Sequence, residues 1–399
     1  MHGDGTKLAT TTHNPPPARL LDLTRLMRRV GKVLTGVDRV EWAYLRALMA
    51  DPVPVYGLIR AQLGYILLDP DGVASLAPSL GGPEPDTSAD AQRRRTWRKA
   101  RRLSISRVPP ALLGRMLRGG LPRGVAYLNV GHSNLTDRVL GTLKAIDAHI
   151  SVLVHDVIPL DFPDYQRDGS VAPFAAMIER VGTQADLLIY NSADTQTRTE
   201  ARMAAPPPGI VAHLGTDLVP SAPDDLPQGM PPRAPFFVCI GTIEPRKNHA
   251  FLLDMWEQMG ADAPTLVIAG SRGWKNEDVF SRLDALPEGG SVREVAGLSD
   301  GALAALVEQS QGVLFPSHAE GFGLPATEAA SRGVPVIVND LEVFREILGD
   351  IPVYASVSDR YLWINKIKEL AEADKQTPKQ PQYHAPTWDT HFKTVLRLT

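Results

Sequence analysis

The sequence predicts an α/β protein built from two Rossmann-like, doubly wound domains that face a central cleft. Three observations carry that prediction. Short apolar runs alternate with amphipathic segments along most of the chain, the pattern of a parallel sheet with helices on both faces. A stretch with six prolines, residues 219–235, divides the alternation in two. The length of 399 residues is also more than one compact core accommodates.

Taken in order, residues 1–16 are polar and read as a disordered tail. The first domain is expected at 17–218. Residues 18–23 form its first strand, and a glycine-bearing connection at 31–36 leads to a helix over 37–49, where apolar residues recur at helical spacing. Short strands are expected at 53–56 and 65–68. Strands at 125–130, 149–154, 186–190 and 209–213 then alternate with helices at 137–146, 173–183 and 193–203. Beyond the 219–235 linker, the second domain is expected at 236–385. It has strands at 236–240, 265–269, 292–296, 312–316 and 334–338. Helices at 250–259, 274–286, 300–310 and 326–332 connect them. The last segment, 386–399, has an apolar stripe of Trp388, His391, Phe392 and Val395 and reads as a helix.

Composition narrows the function. Hydrophobic residues make up 43% and charged residues 22%, a globular balance. The net charge of −3 argues against a general nucleic-acid binder. The charge is unevenly spread, because residues 93–123 carry ten Arg and Lys99 with no acid. Interleaved with Trp97, Leu103, Leu113, Met116 and Leu117, this segment reads either as a surface for anionic lipid or as a solvated basic face. The single cysteine, Cys239, lies in an apolar run and reads as a buried thiol in a reducing compartment. No run reaches the ~18 apolar residues of a membrane span, and the first residues lack the apolar core of a signal peptide. The expected location is cytoplasmic and, on the lipid-surface reading of 93–123, peripheral on the inner face of the cell membrane.

The chemistry concentrates at Glu320-Gly-Phe-Gly-Leu-Pro-Ala-Thr-Glu328. Two carboxylates flank a glycine-rich turn that opens a helix, and strands lie on both sides. A helix start attracts phosphate, and ionised carboxylates accept hydrogen bonds from hydroxyls. A second element, Gly241-Thr-Ile-Glu-Pro-Arg-Lys-Asn248, follows the first strand of the same domain. There a glycine turn is followed by Arg246 and Lys247, cations suited to oxyanions. In the first domain, His155-Asp156 ends a strand. Gly36 allows a close backbone approach, while Asp38 and Arg39 read as a cap or as surface charge.

These residues resemble the E-x7-E signature and phosphate-binding element of retaining glycosyltransferases of family 4. The Gly241 element is similar to the form found in bacterial surface-polysaccharide mannosyl- and rhamnosyltransferases. The resemblance implies the GT-B fold, with the last helix crossing back to the first domain. It implies that Glu320 holds hydroxyls of a donor sugar and Glu328 the nucleotide ribose. Lys247 would neutralise the donor diphosphate. The family's arginine position falls on Thr242, and Arg246 is the expected substitute. Gly36, Gly321, Phe322, Gly323 and Leu324 would border the donor, and backbone near Leu298 would read the base. His155 would face the donor sugar, with Asp156 orienting its ring or assisting the acceptor hydroxyl. Neither a metal nor a cofactor is expected.

The resulting expectation is a retaining, metal-independent hexosyltransferase. Its partners would be a nucleotide-sugar donor, GDP-mannose favoured, and a glycan or lipid-linked glycan acceptor in bacterial surface polysaccharide synthesis. The alternatives are a UDP- or dTDP-sugar transferase, a GT-B-like epimerase or phosphorylase, and a non-catalytic nucleotide-sugar-binding scaffold.

Overall fold

The computed structural model describes residues 15–84, 86–233, 235–373 and 383–399. The tail expected at 1–16 thus lies outside the described residues, apart from Pro15 and Pro16.

The first sheet is formed by β1 (Arg19–Asp22), β2 (Val55–Ala61), β3 (Gly64–Leu68), β4 (Ser106–Val108), β5 (Ala126–Asn129), β6 (His149–Val154), β7 (Leu187–Tyr190) and β8 (Gly209–Val211). Their spatial order is β4-β3-β2-β1-β5-β6-β7-β8. Six strands pair in parallel, but β3 runs antiparallel to both of its neighbours, β2 and β4. This edge departs from the purely parallel sheet that the sequence pattern predicts, and the cause is local. Ala61 pairs with Gly64, leaving only Gln62 and Leu63 to turn the chain. A parallel return needs a crossover of a dozen or more residues, so a loop this short must reverse direction. Gly64 also admits the edge strand, since a Cβ there would stand 1.9 Å from the Val108 carbonyl oxygen.

The second sheet is parallel throughout. It comprises β9 (Phe236–Ile240), β10 (Thr265–Ala269), β11 (Val292–Val295), β12 (Gly312–Phe315), β13 (Val336–Val338) and β14 (Val353–Tyr354), in the order β11-β10-β9-β12-β13-β14. Strands buried on both faces need apolar side chains on both sides, and β9, β12 and β13 are buried along their whole length. Each sheet accordingly has a core on either face. One is built around Leu21, Tyr44 and Ile189 and its opposite around Tyr127, Ile150 and Leu188. In the second sheet they centre on Trp256 and Trp363, and on Phe315 and Phe344. Cys239 is buried among them, and burial pushes its thiol up to about 12.

The basic segment, residues 93–123, spans parts of two helices and an edge strand. It forms the Ala89–Leu103 helix, then β4, then the Leu113–Gly120 helix. Leu113, Met116 and Leu117 are buried in the first half's own core, and Trp97 and Leu103 pack against it. All ten arginines between 93 and 123 are exposed. Much of the apolar stripe is therefore used inside the protein, and the outward face carries the arginines together with exposed Ile105 and Leu112. Among the described residues, no helix is long and apolar enough to cross a membrane.

The proline-rich stretch is tied down. The Ala222 N–H donates to the Gly301 carbonyl at 3.0 Å, and Arg332 donates to the Val219 carbonyl at 2.6 Å. The closing Trp388–Val395 helix lies against the first half. His391 meets the Tyr44 hydroxyl at 2.7 Å and the Ala212 carbonyl at 3.1 Å. Gly215 makes room for the helix, since a Cβ there would stand 2.3 Å from the Trp388 ring.

Candidate active site

The carboxyl ends of the two sheets face each other, the place where ligands settle on open α/β sheets. From the second half, β9 ends at Gly241, whose φ of +133° only glycine adopts readily. The turn brings the Lys247 side chain back over it, 3.2 Å from where a Cβ would stand. Pro245–Lys247 forms one 3-10 turn, and Asn248 in the left-handed region starts the His249–Met259 helix. This loop is stitched to the segment after β12. The His318 N–H donates to the Arg246 carbonyl at 2.8 Å, and Asn248 donates to the Pro316 carbonyl at 3.2 Å.

The stitching places both cations on Glu320. Lys247 Nζ donates to Glu320 Oε1 at 2.6 Å, and Arg246 Nη1 donates to Oε2 at 3.0 Å. Burial alone would raise the Glu320 carboxyl, but Lys247 and Arg246 hold it down at about 2. Glu320 is thus a fixed, ionised acceptor. Arg246 also donates to the Ala319 carbonyl at 2.7 Å and pairs with Glu244 at 2.7 Å. Lys247 keeps further N–H donors beyond the one given to Glu320. Thr242 lies where the loops after β9 and β10 meet, its methyl 2.7 Å from where a Gly273 Cβ would stand.

Gly321-Phe-Gly-Leu324 then opens the Leu324–Ser331 helix. Gly323 is its cap at φ +86°, and a Cβ there would be 2.6 Å from the Phe344 ring. Phe322 is buried, and Leu324 lies 3.9 Å from where a Gly36 Cβ would stand. The glycine loop of the first half therefore rests on the start of this helix. One turn in, Glu328 faces Arg39 of the first half, whose Nη1 donates at 2.9 Å. Burial raises the Glu328 carboxyl, and Arg39 opposes the rise.

The first half touches the turn directly. A Cβ on Gly321 would be 2.7 Å from the His155 carbonyl oxygen and 3.2 Å from the Asp156 side chain. The Thr195 hydroxyl donates to the Gly321 carbonyl at 3.2 Å. The His155 ring does not pair with Asp156. Its Nε2 donates to the Val130 carbonyl at 2.7 Å, so that carbonyl, not the neighbouring carboxylate, orients the ring. Burial, with His132 beside it, lowers His155 to about 3, and the ring is neutral. Asp156 instead accepts the Ile158 N–H at 3.1 Å. Burial raises its carboxyl, with Arg246 pulling the other way.

The arrangement offers a buried carboxylate between two cations, a helix start with a glycine loop laid over it, and a second carboxylate one turn on. Residues 225–383 match the family described as Glycosyl transferases group 1. This stretch is a glycosyl transferases group 1 domain. The chain is 32% identical over 239 residues to the serotype-specific mannosyltransferase WbdA of Escherichia coli, covering 54% of this chain and 29% of WbdA. It is 32% identical over 123 residues to O-antigen chain mannosyltransferase B of Escherichia coli, covering 30% and 32%. The chain thus spans about a third or less of the length of these relatives. Its fold matches that of HepE from Anabaena, solved with UDP and glucose, at a TM-score of 0.62 and 15% identity over 96% of this chain and 94% of HepE. The fold is GT-B.

Within the group 1 domain, Leu298 packs partly against the sheet. The pocket beside Glu328 is lined by Asp300, Leu303, Ala304 and Val307 of the preceding Asp300–Gln309 helix, with Arg39, Asp217 and Arg332. Sequence reading passed over Arg39, Asp300 and Thr195 as site residues. Arg39 lies 289 positions from Glu328 and 261 from Asp300, and no local pattern announces such pairs.

Proposed function

We propose that the chain is a retaining glycosyltransferase. It transfers a hexose, with GDP-mannose the favoured donor, to a glycan or lipid-linked glycan acceptor in bacterial surface polysaccharide synthesis. The observation that carries this reading is Glu320, buried yet held ionised by Lys247 and Arg246 at the turn that opens the Leu324–Ser331 helix. Such a carboxylate accepts hydroxyl hydrogen bonds without needing to lose a proton first. The helix start and the free donors of Lys247 suit a diphosphate. The mannosyltransferase names of the sequence relatives favour mannose.

In this reading the bond from the sugar's anomeric carbon to the phosphate oxygen breaks, and a bond to the acceptor oxygen forms on the same face. The acceptor's proton passes to the departing phosphate. Lys247 and the helix start stabilise the charge that develops there, the part a metal plays elsewhere. His155, neutral and tied to Val130, shapes the sugar side of the site rather than moving a proton. Asp156, with its raised carboxyl, is placed to receive an acceptor hydroxyl. The exposed arginines at 93–123 would hold this half near anionic headgroups.

The test is incubation with GDP-mannose and a short lipid-linked mannoside, followed by NMR of the product's anomeric proton. Transfer with retained α configuration is expected. An inverted product would reject the mechanism, and transfer from UDP- or dTDP-sugars alone would reject the donor. Binding to anionic but not neutral vesicles, weakening with salt, checks the membrane part.

A further inference from the structure

We propose that Arg39 is a positioning residue of the donor site, reaching across the cleft to hold Glu328 for the ribose hydroxyls of the nucleotide. This inference rests on the donor-site reading of Glu328 given above.

Arg39 and its neighbour Asp38 divide the work at the start of the Gly36–Ala50 helix. Asp38 is fully buried and accepts the Thr35 N–H at 2.8 Å in a capping box. Arg25 and Arg29 donate to the same carboxylate at 2.6 and 2.9 Å. The helix start is therefore pinned, and with it the direction in which Arg39 leaves the helix. Gly36 rests on Leu324, so the two helix starts lie together. From that base the Arg39 guanidinium forks, one arm on Glu328 at 2.9 Å and the other on Asp300. A planar fork fixes the orientation of what it grips, as a point charge does not.

Glu328 sits among groups of both signs: Arg39 and Asp300 across the pocket, Asp217 beside the proline-rich stretch, and Arg332 on its own helix. Arg332 is engaged by Glu308 and by the Val219 carbonyl. Arg39 is thus the cation that directly pairs with the carboxylate. It takes only Oε1 in the recorded pair, and a carboxylate has room for further donors on its remaining lone pairs. Arg39 thereby opposes the burial that raises the Glu328 carboxyl and turns it for two adjacent hydroxyls, and it makes the ribose site depend on both halves of the molecule.

The test compares binding of GDP and its 2′,3′-dideoxy analogue by calorimetry, for the full chain and for Arg39→Gln, Arg39→Lys and the control Arg46→Gln. Arg46 lies on the same helix, and among the described residues its ion pair is with exposed Asp217 rather than Glu328. The full chain and Arg46→Gln should prefer GDP. In Arg39→Gln, that preference should fall on the order of tenfold, the scale of a hydrogen bond to a charged group, with Arg39→Lys between. The pH at which GDP affinity is lost on acidification should also move up in Arg39→Gln, because Glu328 then takes a proton more readily. A merely structural role would weaken both ligands equally and leave that pH unchanged, which would overturn the proposal. If the full chain itself does not distinguish the two ligands, the ribose reading of Glu328 fails, not only the part given to Arg39.

Discussion

Glu320 shows what one residue contributes here and how it can be read. Its carboxylate lies between Lys247 and Arg246, and all three are largely buried. Removing one member of such a group leaves charge uncompensated, at a cost of about 3–5 kcal/mol. Glu320→Ala should therefore lower the unfolding temperature clearly. Glu320→Gln keeps the shape and should lower it less. Both should reduce sugar transfer by about 10²–10³, the usual loss when one preorganised electrostatic contact is removed. Gln retaining full activity would show that the charge is dispensable. Glu320, Glu328, Arg246 and Lys247 stood out in the sequence because the members of each pair lie within one short stretch of chain. The ring partner of His155 did not, because Val130 lies 25 residues away and uses its backbone. A backbone carbonyl leaves no trace in residue identity.

At the scale of elements, glycine decides the geometry of the turn. Gly323→Ala would force a side chain into φ +86° and against Phe344. The strained backbone alone costs roughly 1 kcal/mol, and the start of the helix would shift away from Gly36. Donor affinity should fall while the second sheet stays intact, as measured by calorimetry alongside circular dichroism. The closing helix gives a pH prediction. His391 is buried, which lowers it to about 4, whereas an unfolded histidine titrates near 6.5. Between those values the unfolded chain binds more protons, so the contribution is fully present above about pH 6.5 and is lost as pH falls toward 4. The raised carboxyls of Asp22 and Glu41 run the other way above about 4.5. The difference in urea midpoint between the natural chain and His391→Gln should therefore shrink on acidification through this window. A constant difference would contradict a neutral buried ring. The apolar stripe made this helix legible in the sequence. The antiparallel edge was not, since a two-residue turn between runs that each read as a strand carries weak composition signals.

Across the whole molecule, the two halves are joined by polar contacts as well as by the chain. Glu346 of the second half accepts the Ala193 and Asp194 N–H groups at 2.7 and 3.1 Å, capping a helix of the first. His213 meets the same carboxylate at 2.8 Å. Trp274 donates to the Tyr165 carbonyl at 2.9 Å, and Tyr165 stacks on His318. Helix N-termini favour a carboxylate, so Glu346→Ala should loosen the pairing. Small-angle scattering should then show a larger radius of gyration without ligand, moving back toward the natural value with a nucleotide sugar. An unchanged radius would place the joint elsewhere. Alternation and the proline-rich stretch made the two-sheet plan legible in the sequence. Contacts such as Glu346 with Ala193 depend on how two separately folded surfaces meet, which local patterns do not encode.

Glu320, Lys247 and Glu328 together are proposed as the site of a nucleotide-sugar donor. Calorimetric titration of GDP-mannose into the natural chain and into Lys247→Ala tests this most directly. Binding to the natural chain and a loss on the order of a hundredfold in the variant are expected, since a charge-assisted contact to phosphate is removed. Equal affinity in the two proteins would contradict it.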